Sequence, residues 1–281
     1  MWQFQALYLF YAILTDEKKV VEIMKKRSVS FSPPDITDLE ITEVARALRS
    51  GWITTGPRVK LLERRLAAYI DTGDTTIDCD TDEAMARYSN KVVCLNSATA
   101  CEELNLHILG IQPGDEVIVP AYTYTATASA AVHCGAKIVF VDIQKDGDKT
   151  THAPEMDYEK IAAAITANTK AIIPVDLGGI VCDYDRLFEI VESKRSLFKP
   201  LDDHSNPLLD LSSRIQKAMG RIAVVSDCAH SLGASRVVSH TGKGVVEKAR
   251  RYCGAIADFS SFSFHAVNLL FIKGGLVAKT A

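Results

Sequence analysis

Several motifs that mark common protein classes are absent from this 281-residue sequence. There is no Gly-x-Gly-x-x-Gly, no phosphate-loop Gly-Lys-Ser/Thr and no Gly-x-Ser-x-Gly, which argues against dinucleotide oxidoreductases, phosphate-loop nucleotidases and α/β-hydrolases. No basic run stands out and the net charge is −3, so nucleic acid is not an expected partner. None of the seven cysteines forms a Cys-x-x-Cys pair, which favours buried, reduced thiols and a cytoplasmic protein.

A long apolar run is also lacking at the N-terminus. The run MWQFQALYLFYAIL is short of the roughly 20 residues that a membrane span needs, and no positive charge precedes it as in a secretory signal. No membrane association is therefore expected. We predict that residues 1–30 are an N-terminal extension, that Met24 is the natural start, and that one large domain covers residues 31–281.

Short apolar runs alternate with helical stretches along most of the chain. Strands are predicted at 92–96, 116–121, 137–143, 171–176, 222–227 and 259–264. Helices are predicted at 38–50, 58–70, 99–109, 123–134, 157–166, 184–194 and 208–219. The strand runs are apolar on both faces, as in buried parallel strands. The sequence therefore predicts an α/β fold with a mostly parallel central sheet and helices on both faces.

Two stretches interrupt this alternation. Residues 71–90 are acidic and include DCDTDE, which begins like a calcium loop but lacks the glycine and the final glutamate that such a loop requires. A solvated loop is the favoured interpretation. Residues 195–213 are interpreted as a surface insertion.

Small and aromatic residues follow the first two predicted strands, at the sheet edge where α/β proteins bind ligands. Ala98 and Thr99, after VVCLN, open a helix whose free N–H groups could hold an anion; an ordinary N-cap by Ser97 or Thr99 is the alternative. Tyr122 and Tyr124, after EVIVPA, could stack on a flat ligand or could simply pack in the core.

Polar side chains also follow two later strands. Asp227 ends the apolar run IAVVSD, and His230 comes three residues later. A desolvated aspartate needs a positive partner, such as a protonated ring nitrogen, although Asp227 could instead cap the next segment. Ser263, at the end of FSSFSF, adds a hydroxyl at the same edge.

The order and spacing of these motifs carry a resemblance to a known family. FSPPDIT, SGWITTGP, NSATA, PGDEVIVPAYTYTATA, GAKIVFVDI, TKAIIPVDLGG, DCAHSLGA and DFSSFSFHAV follow one another as in the DegT/StrS sugar aminotransferases, which depend on pyridoxal 5'-phosphate. The resemblance extends from about Phe31 to Gly275. It implies the large domain of the fold-type I transferases.

The resemblance also implies roles for individual residues. Ala98 and Thr99 correspond to the phosphate cradle, and Ser263 to a further phosphate ligand. Tyr124 corresponds to the aromatic residue that stacks on the pyridine ring. Asp227 corresponds to the aspartate that pairs with the protonated ring nitrogen.

Two further features follow from the same resemblance. His230 occupies the position of a residue near the ring hydroxyl. The segment SGWITTGP resembles a loop that often lines the site of a partner subunit, which implies a homodimer. The family's substrates imply a nucleotide-linked keto-sugar and an amino-acid donor, glutamate or glutamine, with a role in polysaccharide biosynthesis.

The sequence departs from the family at its central catalytic residue. A lysine that carries the cofactor as a Schiff base should follow SFHAV and precede NL, yet Asn268 follows Val267 directly. Lys273 is a weak surrogate, because a shift of about 1 Å in a reacting group can cost roughly a hundredfold in rate. The chain also ends soon after Gly275, so the family's C-terminal small domain is expected to be missing.

Three hypotheses follow. The chain is a pyridoxal-phosphate-dependent aminotransferase by descent, a cofactor-binding homologue without turnover, or a truncated product without function of its own.

Overall fold

The computed structural model describes residues 36–144, 154–242, 245–265 and 275–279, with the backbone alone for 240–242, 245–247 and 275–279. The predicted N-terminal extension lies outside the described residues. So do Asn268 and Lys273.

A seven-stranded sheet organises the described part of the chain. Its strands are β1 (Val92–Leu95), β2 (Glu116–Pro120), β3 (Lys137–Val141), β4 (Thr169–Ile172), β5 (Ala223–Asp227), β8 (Phe259–Ser263) and β9 (Gly275–Lys279). Their order across the sheet is β1-β9-β8-β5-β4-β2-β3. Six strands run parallel, and β9 runs antiparallel to both of its neighbours, β1 and β8.

Helices cover both faces of this sheet. They are α1 (Asp38–Arg49), α2 (Pro57–Thr72), α3 (Asp82–Tyr88), α4 (Ala98–Ile108), α5 (Thr125–His133), α6 (Tyr158–Ala164), α7 (Tyr184–Ser193) and α8 (Pro207–Met219). Apolar residues of α4, α5 and α8 join one core cluster, whereas those of α2, α6 and α7 join the other. The predicted α/β fold, a mostly parallel sheet with helices on both faces, is confirmed.

Helix α8 illustrates how local sequence sets an element's ends. The side chain of Asn206 accepts hydrogen bonds from the first-turn N–H groups of Leu208 and Leu209, and Pro207 occupies the first helical position. Gly220 ends the helix at φ 61°, a left-handed conformation that glycine adopts without strain. The prediction of a surface insertion over 195–213 is therefore wrong from Pro207 onward.

The prediction of a solvated loop over residues 71–90 is also wrong in part. Helix α2 continues to Thr72, and α3 forms because Thr81 accepts a hydrogen bond from the Ala84 N–H at its start. Ala84 and Tyr88, four residues apart, are both buried on the side of α3 that packs inward. Acidic composition concealed this apolar pair.

Three strands have no counterpart among the sequence predictions. Strands β6 (Ser235–Gly242) and β7 (Val245–Tyr252) pair antiparallel as a separate two-stranded sheet, and β9 enters the main sheet. Within the described residues, no helix combines the length and the apolarity that crossing a membrane would require.

Candidate functional site

Asp227 lies at the carboxyl end of β5 and is only 4% exposed. Its Oδ2 accepts a hydrogen bond from the Thr127 hydroxyl at 2.8 Å, and its Oδ1 accepts one from the Ala229 N–H at 3.0 Å. Asp227 does cap the turn that follows β5 through its bond with the Ala229 N–H, but no helix begins there, because the next regular element is strand β6. The carboxylate is therefore desolvated and held by donors from α5 and from the turn after β5.

The first turn of α4 follows β1 at the same edge of the sheet. The Ser97 hydroxyl oxygen accepts a hydrogen bond from the Ala100 N–H at 3.1 Å, so the N-cap interpretation is confirmed for Ser97. The N–H groups of Ala98 and Thr99 precede the first intrahelical hydrogen bond, as in any α-helix. Because Ser97 caps the Ala100 N–H, the N–H groups of Ala98 and Thr99 stay directed out of the helix end, where an anion would bind.

Tyr124 precedes α5 as its N-cap residue, and its side chain is 78% exposed. Tyr122 is also exposed, so the alternative that these rings pack in the core is wrong. The backbone oxygen of Tyr124 accepts a hydrogen bond from the Thr127 N–H at 3.3 Å. The exposed ring thus stands one helical turn from the hydroxyl that holds Asp227.

His230 lies in the turn that follows β5. Its Nδ1 accepts a hydrogen bond from the Gly178 N–H at 3.2 Å. Gly178 and Gly179 have φ angles of 64° and 79°, in the left-handed region that favours glycine. This short glycine turn after β4 orients the imidazole ring, and it brings His230 to the same edge of the sheet as Asp227.

Ser263 is the last residue of β8 and is buried. Asp227 and Ser261 are register partners in the parallel strands β5 and β8. Side chains two residues apart share a face of a strand, so Ser263 lies one repeat beyond Ser261 on the face of Asp227. Its Oγ accepts a hydrogen bond from the His265 N–H at 3.2 Å.

A second buried carboxylate, Asp176, lies beneath the site and was missed by sequence reasoning. The donors that reach it are the Cys182 N–H at 2.9 Å, the Tyr184 hydroxyl at 3.2 Å, the Ser231 hydroxyl at 3.3 Å and the thiols of Cys253 at 3.3 Å and Cys228 at 3.6 Å. Burial raises the pKa of Asp176. The backbone N–H of Asp176 donates to the backbone oxygen of Asp227 at 3.1 Å, so this cluster supports the backbone of the site.

Glu102 on α4 was also missed. Its side chain is buried on the α4 side of the sheet, and the Ser261 hydroxyl donates to its Oε1 at 3.2 Å. Burial, the charge of Asp227 and a hydrogen bond with Asp227 raise the pKa of Glu102 well above its ordinary value. The signal in the sequence was a charged residue four positions before Leu106, on the face of α4 that also buries Cys101 and Asn105.

The predicted site residues therefore fall into two groups. The structure brings Ala98, Thr99, Tyr124, Asp227, His230 and Ser263 to the carboxyl edge of one sheet, on the turns and strand ends described above. Lys273 and the gap before Asn268 lie outside the described residues, so the surrogate role of Lys273 stays a prediction.

Comparison with known proteins identifies the family. Residues 34–198 and 210–280 match the DegT/DnrJ/EryC1/StrS aminotransferase family. The chain belongs to this family. The matched ranges include every described strand of the central sheet and each predicted site residue named above.

Individual relatives agree with this family. The chain is 31% identical over 258 residues to the spore coat polysaccharide biosynthesis protein SpsC of Bacillus subtilis, covering 91% of this chain and 51% of SpsC. It is 48% identical to the putative sugar aminotransferase Spr1654 of Streptococcus pneumoniae in its PMP-form, with a TM-score of 0.70 and coverage of 90% of this chain and 52% of that one. The PLP-form of Spr1654 gives 49% identity and the same TM-score, with 91% and 54% coverage. The chain thus spans about half the length of these relatives.

Proposed function

We propose that this chain forms the cofactor-binding part of a pyridoxal-phosphate-dependent aminotransferase that acts on a nucleotide-linked keto-sugar. The amino donor would be glutamate or glutamine, and the product would serve polysaccharide biosynthesis. The observation that carries the proposal is the desolvated Asp227 carboxylate, held by Thr127 and Ala229 beside the N-termini of two helices. A buried anion near helix N-termini suits a ligand with a ring cation at one end and a phosphate at the other.

The residues of this chain would divide the work of holding that ligand. When bound, pyridoxal phosphate supplies a conjugated ring that accepts the electron pair of a breaking bond. Asp227 would keep a proton on the ring nitrogen, and the Thr127 hydroxyl keeps Asp227 aligned. Tyr124 would cover one face of the ring. His230 would contact the ring hydroxyl.

The phosphate of the ligand would lie at the start of α4. The N–H groups of Ala98 and Thr99 would donate to its oxygens, helped by the dipole of the helix. The Ser263 hydroxyl would donate a further hydrogen bond from the end of β8. All of these groups are neutral, so the charge of the phosphate is met by dipoles.

A second candidate function is supported by the sequence itself. Because Asn268 follows Val267 directly, no lysine stands where the family carries its cofactor. A cofactor-binding homologue without turnover would keep Asp227 and the helix N-termini but lack the amine that moves protons. Binding of the cofactor is common to both candidates, and covalent attachment separates them.

The shared prediction is tested at Asp227. Pyridoxamine phosphate, which needs no lysine, is expected to bind to the wild-type chain. Asp227→Asn should weaken this binding by about 2 kcal/mol or more, roughly thirtyfold in Kd, because the buried ring cation loses its counter-charge. Isothermal titration calorimetry at constant pH measures the change.

The control is the same substitution at the exposed residue Asp82, which should leave Kd unchanged. Circular dichroism verifies that both variants fold. An Asp227→Asn variant that binds as tightly as the wild type would contradict the proposed role. A wild type that does not bind pyridoxamine phosphate would contradict both candidate functions.

We also propose that the chain pairs as a homodimer through α1 and the SGWITTGP segment. None of the residues of α1 is buried, and Ile41, Val44 and Leu48 expose an apolar stripe. Trp52 and Ile53 continue it. Exposed apolar patches of this kind mark protein interfaces.

A cytoplasmic location stays a prediction from the reduced thiols.

Substitution of Val44 tests the dimer. Val44 is 61% exposed, and a glutamate there would place a charge in the interface. Val44→Glu is expected to shift the chain from dimer to monomer in sedimentation velocity. Val237→Glu is the control, since Val237 is 50% exposed on the separate β6–β7 hairpin and should leave the dimer intact. Equal effects of both substitutions would refute this interface.

A further inference from the structure

Glu102 has an unusual environment for a charged residue. It is 1% exposed on the face of α4 that packs against the sheet. The Ser261 hydroxyl reaches its Oε1 at 3.2 Å, whereas no donor among the described residues reaches its Oε2. The Oε2 atom of Glu102 therefore has no hydrogen-bond donor, which a buried ionised oxygen would require.

Asp227 lies on the same face of the sheet as the Ser261 hydroxyl that reaches Glu102, because Ser261 and Asp227 are register partners on adjacent strands. The charge of Asp227 and a hydrogen bond with it both contribute to the raised pKa of Glu102. Two carboxylates in contact in a dry environment cannot both be ionised, so one keeps a proton.

Their other partners decide which carboxyl is protonated. Asp227 already accepts hydrogen bonds from the Thr127 hydroxyl and the Ala229 N–H, both of which favour its anion. Among the donors that the structure describes, one reaches Glu102, the Ser261 hydroxyl. The proton therefore belongs on Glu102, where burial and the charge of Asp227 raise the pKa.

We propose that Glu102 is a positioning residue for the cofactor ring, which donates a hydrogen bond from its protonated carboxyl to Asp227 and thereby keeps Asp227 anionic toward the ligand. This inference rests on the proposed function. The donated hydrogen bond would stabilise and orient the Asp227 carboxylate that faces the protonated ring nitrogen. No proton moves from Glu102 in this arrangement.

The neighbours of Glu102 add no competing charge in the described residues. Beside it lie Cys101 on α4 and Cys228 after β5, and burial raises the pKa of each thiol, so both stay neutral. From α5 and β8, the groups that face the pair are the hydroxyls of Thr127 and Ser261. Any pH effect unique to the pair therefore reports on Glu102.

The sign of that effect follows from the raised pKa. The folded chain holds the Glu102 proton above the unfolded value of about 4.3, so stability is fully present below that pH and is lost as pH rises toward the folded pKa. Relative to Glu102→Gln, whose amide donates without titrating, the wild-type unfolding constant should rise by up to roughly tenfold per pH unit in this window.

The test compares Glu102→Gln with Glu102→Leu, which keeps the volume but has no donor. With ring-labelled pyridoxamine phosphate, Glu102→Gln should keep the nitrogen chemical shift of a protonated ring and a Kd within about twofold of wild type. Glu102→Leu should move that shift toward the unprotonated ring and weaken Kd roughly tenfold. A Glu102→Leu variant with the wild-type nitrogen shift would overturn the proposal, since a merely structural role would alter stability alone.

A second readout needs no ligand. Infrared spectra of the wild-type chain at neutral pH should contain a carbonyl band of a buried protonated carboxyl that both Glu102 variants lack, whereas any band from Asp176 should remain in all three spectra. Absence of the band from the wild type overturns the proposal even if the ligand binds. If the band is present but the wild type does not bind pyridoxamine phosphate, the proposed function fails, and with it the positioning role, while the carboxyl pair stands.

Discussion

Insertion of one lysine between Val267 and Asn268 is expected to give this chain a covalent attachment site for pyridoxal phosphate. Wild-type chain incubated with pyridoxal phosphate and reduced with borohydride should carry no cofactor, whereas the insertion variant should carry one cofactor per chain in intact-mass spectra. The physical reason is placement: the segment after Ser263 leaves β8 at the edge where Asp227 ends β5. We expect an amine introduced a few residues beyond Ser263 to reach a ligand that Asp227 holds.

Two controls test whether the adduct requires a lysine amine at this position rather than an inserted residue of any kind. Insertion of alanine at the same point restores the length of the segment without an amine, and it should give no adduct. Lys273→Ala should leave the wild-type result unchanged. If the wild type forms an adduct that Lys273→Ala abolishes, Lys273 is the catalytic lysine and the prediction is wrong.

The outcome would also choose between the two candidate functions. A lysine that reacts once restored means that the rest of the site is intact, and that the loss of one residue separates this chain from its relatives. An insertion variant that binds pyridoxamine phosphate but forms no adduct would mean that the segment after β8 has diverged further. Covalent attachment can be measured on this chain, which spans about half the length of its relatives.

The sequence predicted the parallel strands and seven of the helices because each presents a continuous apolar run or stripe. It failed where apolar residues are few. The β6–β7 hairpin contains the charged stretch EKARR, so alternation is hard to detect, and the apolar run of β9 is only Leu276, Val277 and Ala278. These strands depend on pairing with distant neighbours, which outweighs their local composition.

The candidate site was predictable at its edge and unpredictable beneath it. Asp227 and Ser263 end apolar runs, which places them at the carboxyl edge by sequence alone. Glu102 could be recognised as a charge on a buried stripe, but its partner lies 159 positions away at Ser261. Such contacts depend on the packing of α4 on β8, and no local sequence pattern predicts that packing.

Asp176, like Glu102, is a buried carboxyl whose partners are distant in the sequence. Its removal is expected to cause the largest loss of stability predicted for this chain. It ends the run AIIPVD much as Asp227 ends IAVVSD, so its position was visible in the sequence. Its partners were not, since Cys228 and Cys253 lie 52 and 77 positions away. The carboxylate joins three segments around one buried point.

Asp176→Ala should lower the free energy of unfolding by about 3 kcal/mol or more. The substitution leaves the Cys182 N–H and the Ser231 hydroxyl buried without their acceptor, and each such loss costs about 1–3 kcal/mol, whereas the Tyr184 hydroxyl keeps Ser226 as a partner. The midpoint of urea unfolding measures the change, provided that the slope of the transition stays constant. Glu189→Ala, at an exposed position on α7, should change stability by less than about 0.5 kcal/mol.

The effect of Asp176→Ala should extend to the cofactor site. The backbone N–H of Asp176 donates to the backbone oxygen of Asp227, and the backbone N–H of Asp227 donates to the backbone oxygen of Pro174. These two bonds hold the ends of the two strands in register. Loss of the cluster should therefore weaken pyridoxamine phosphate binding in the fraction that still folds. A variant that is as stable as the Glu189→Ala control would show that the thiol and hydroxyl donors find other acceptors, and that Asp176 does not anchor the end of β5.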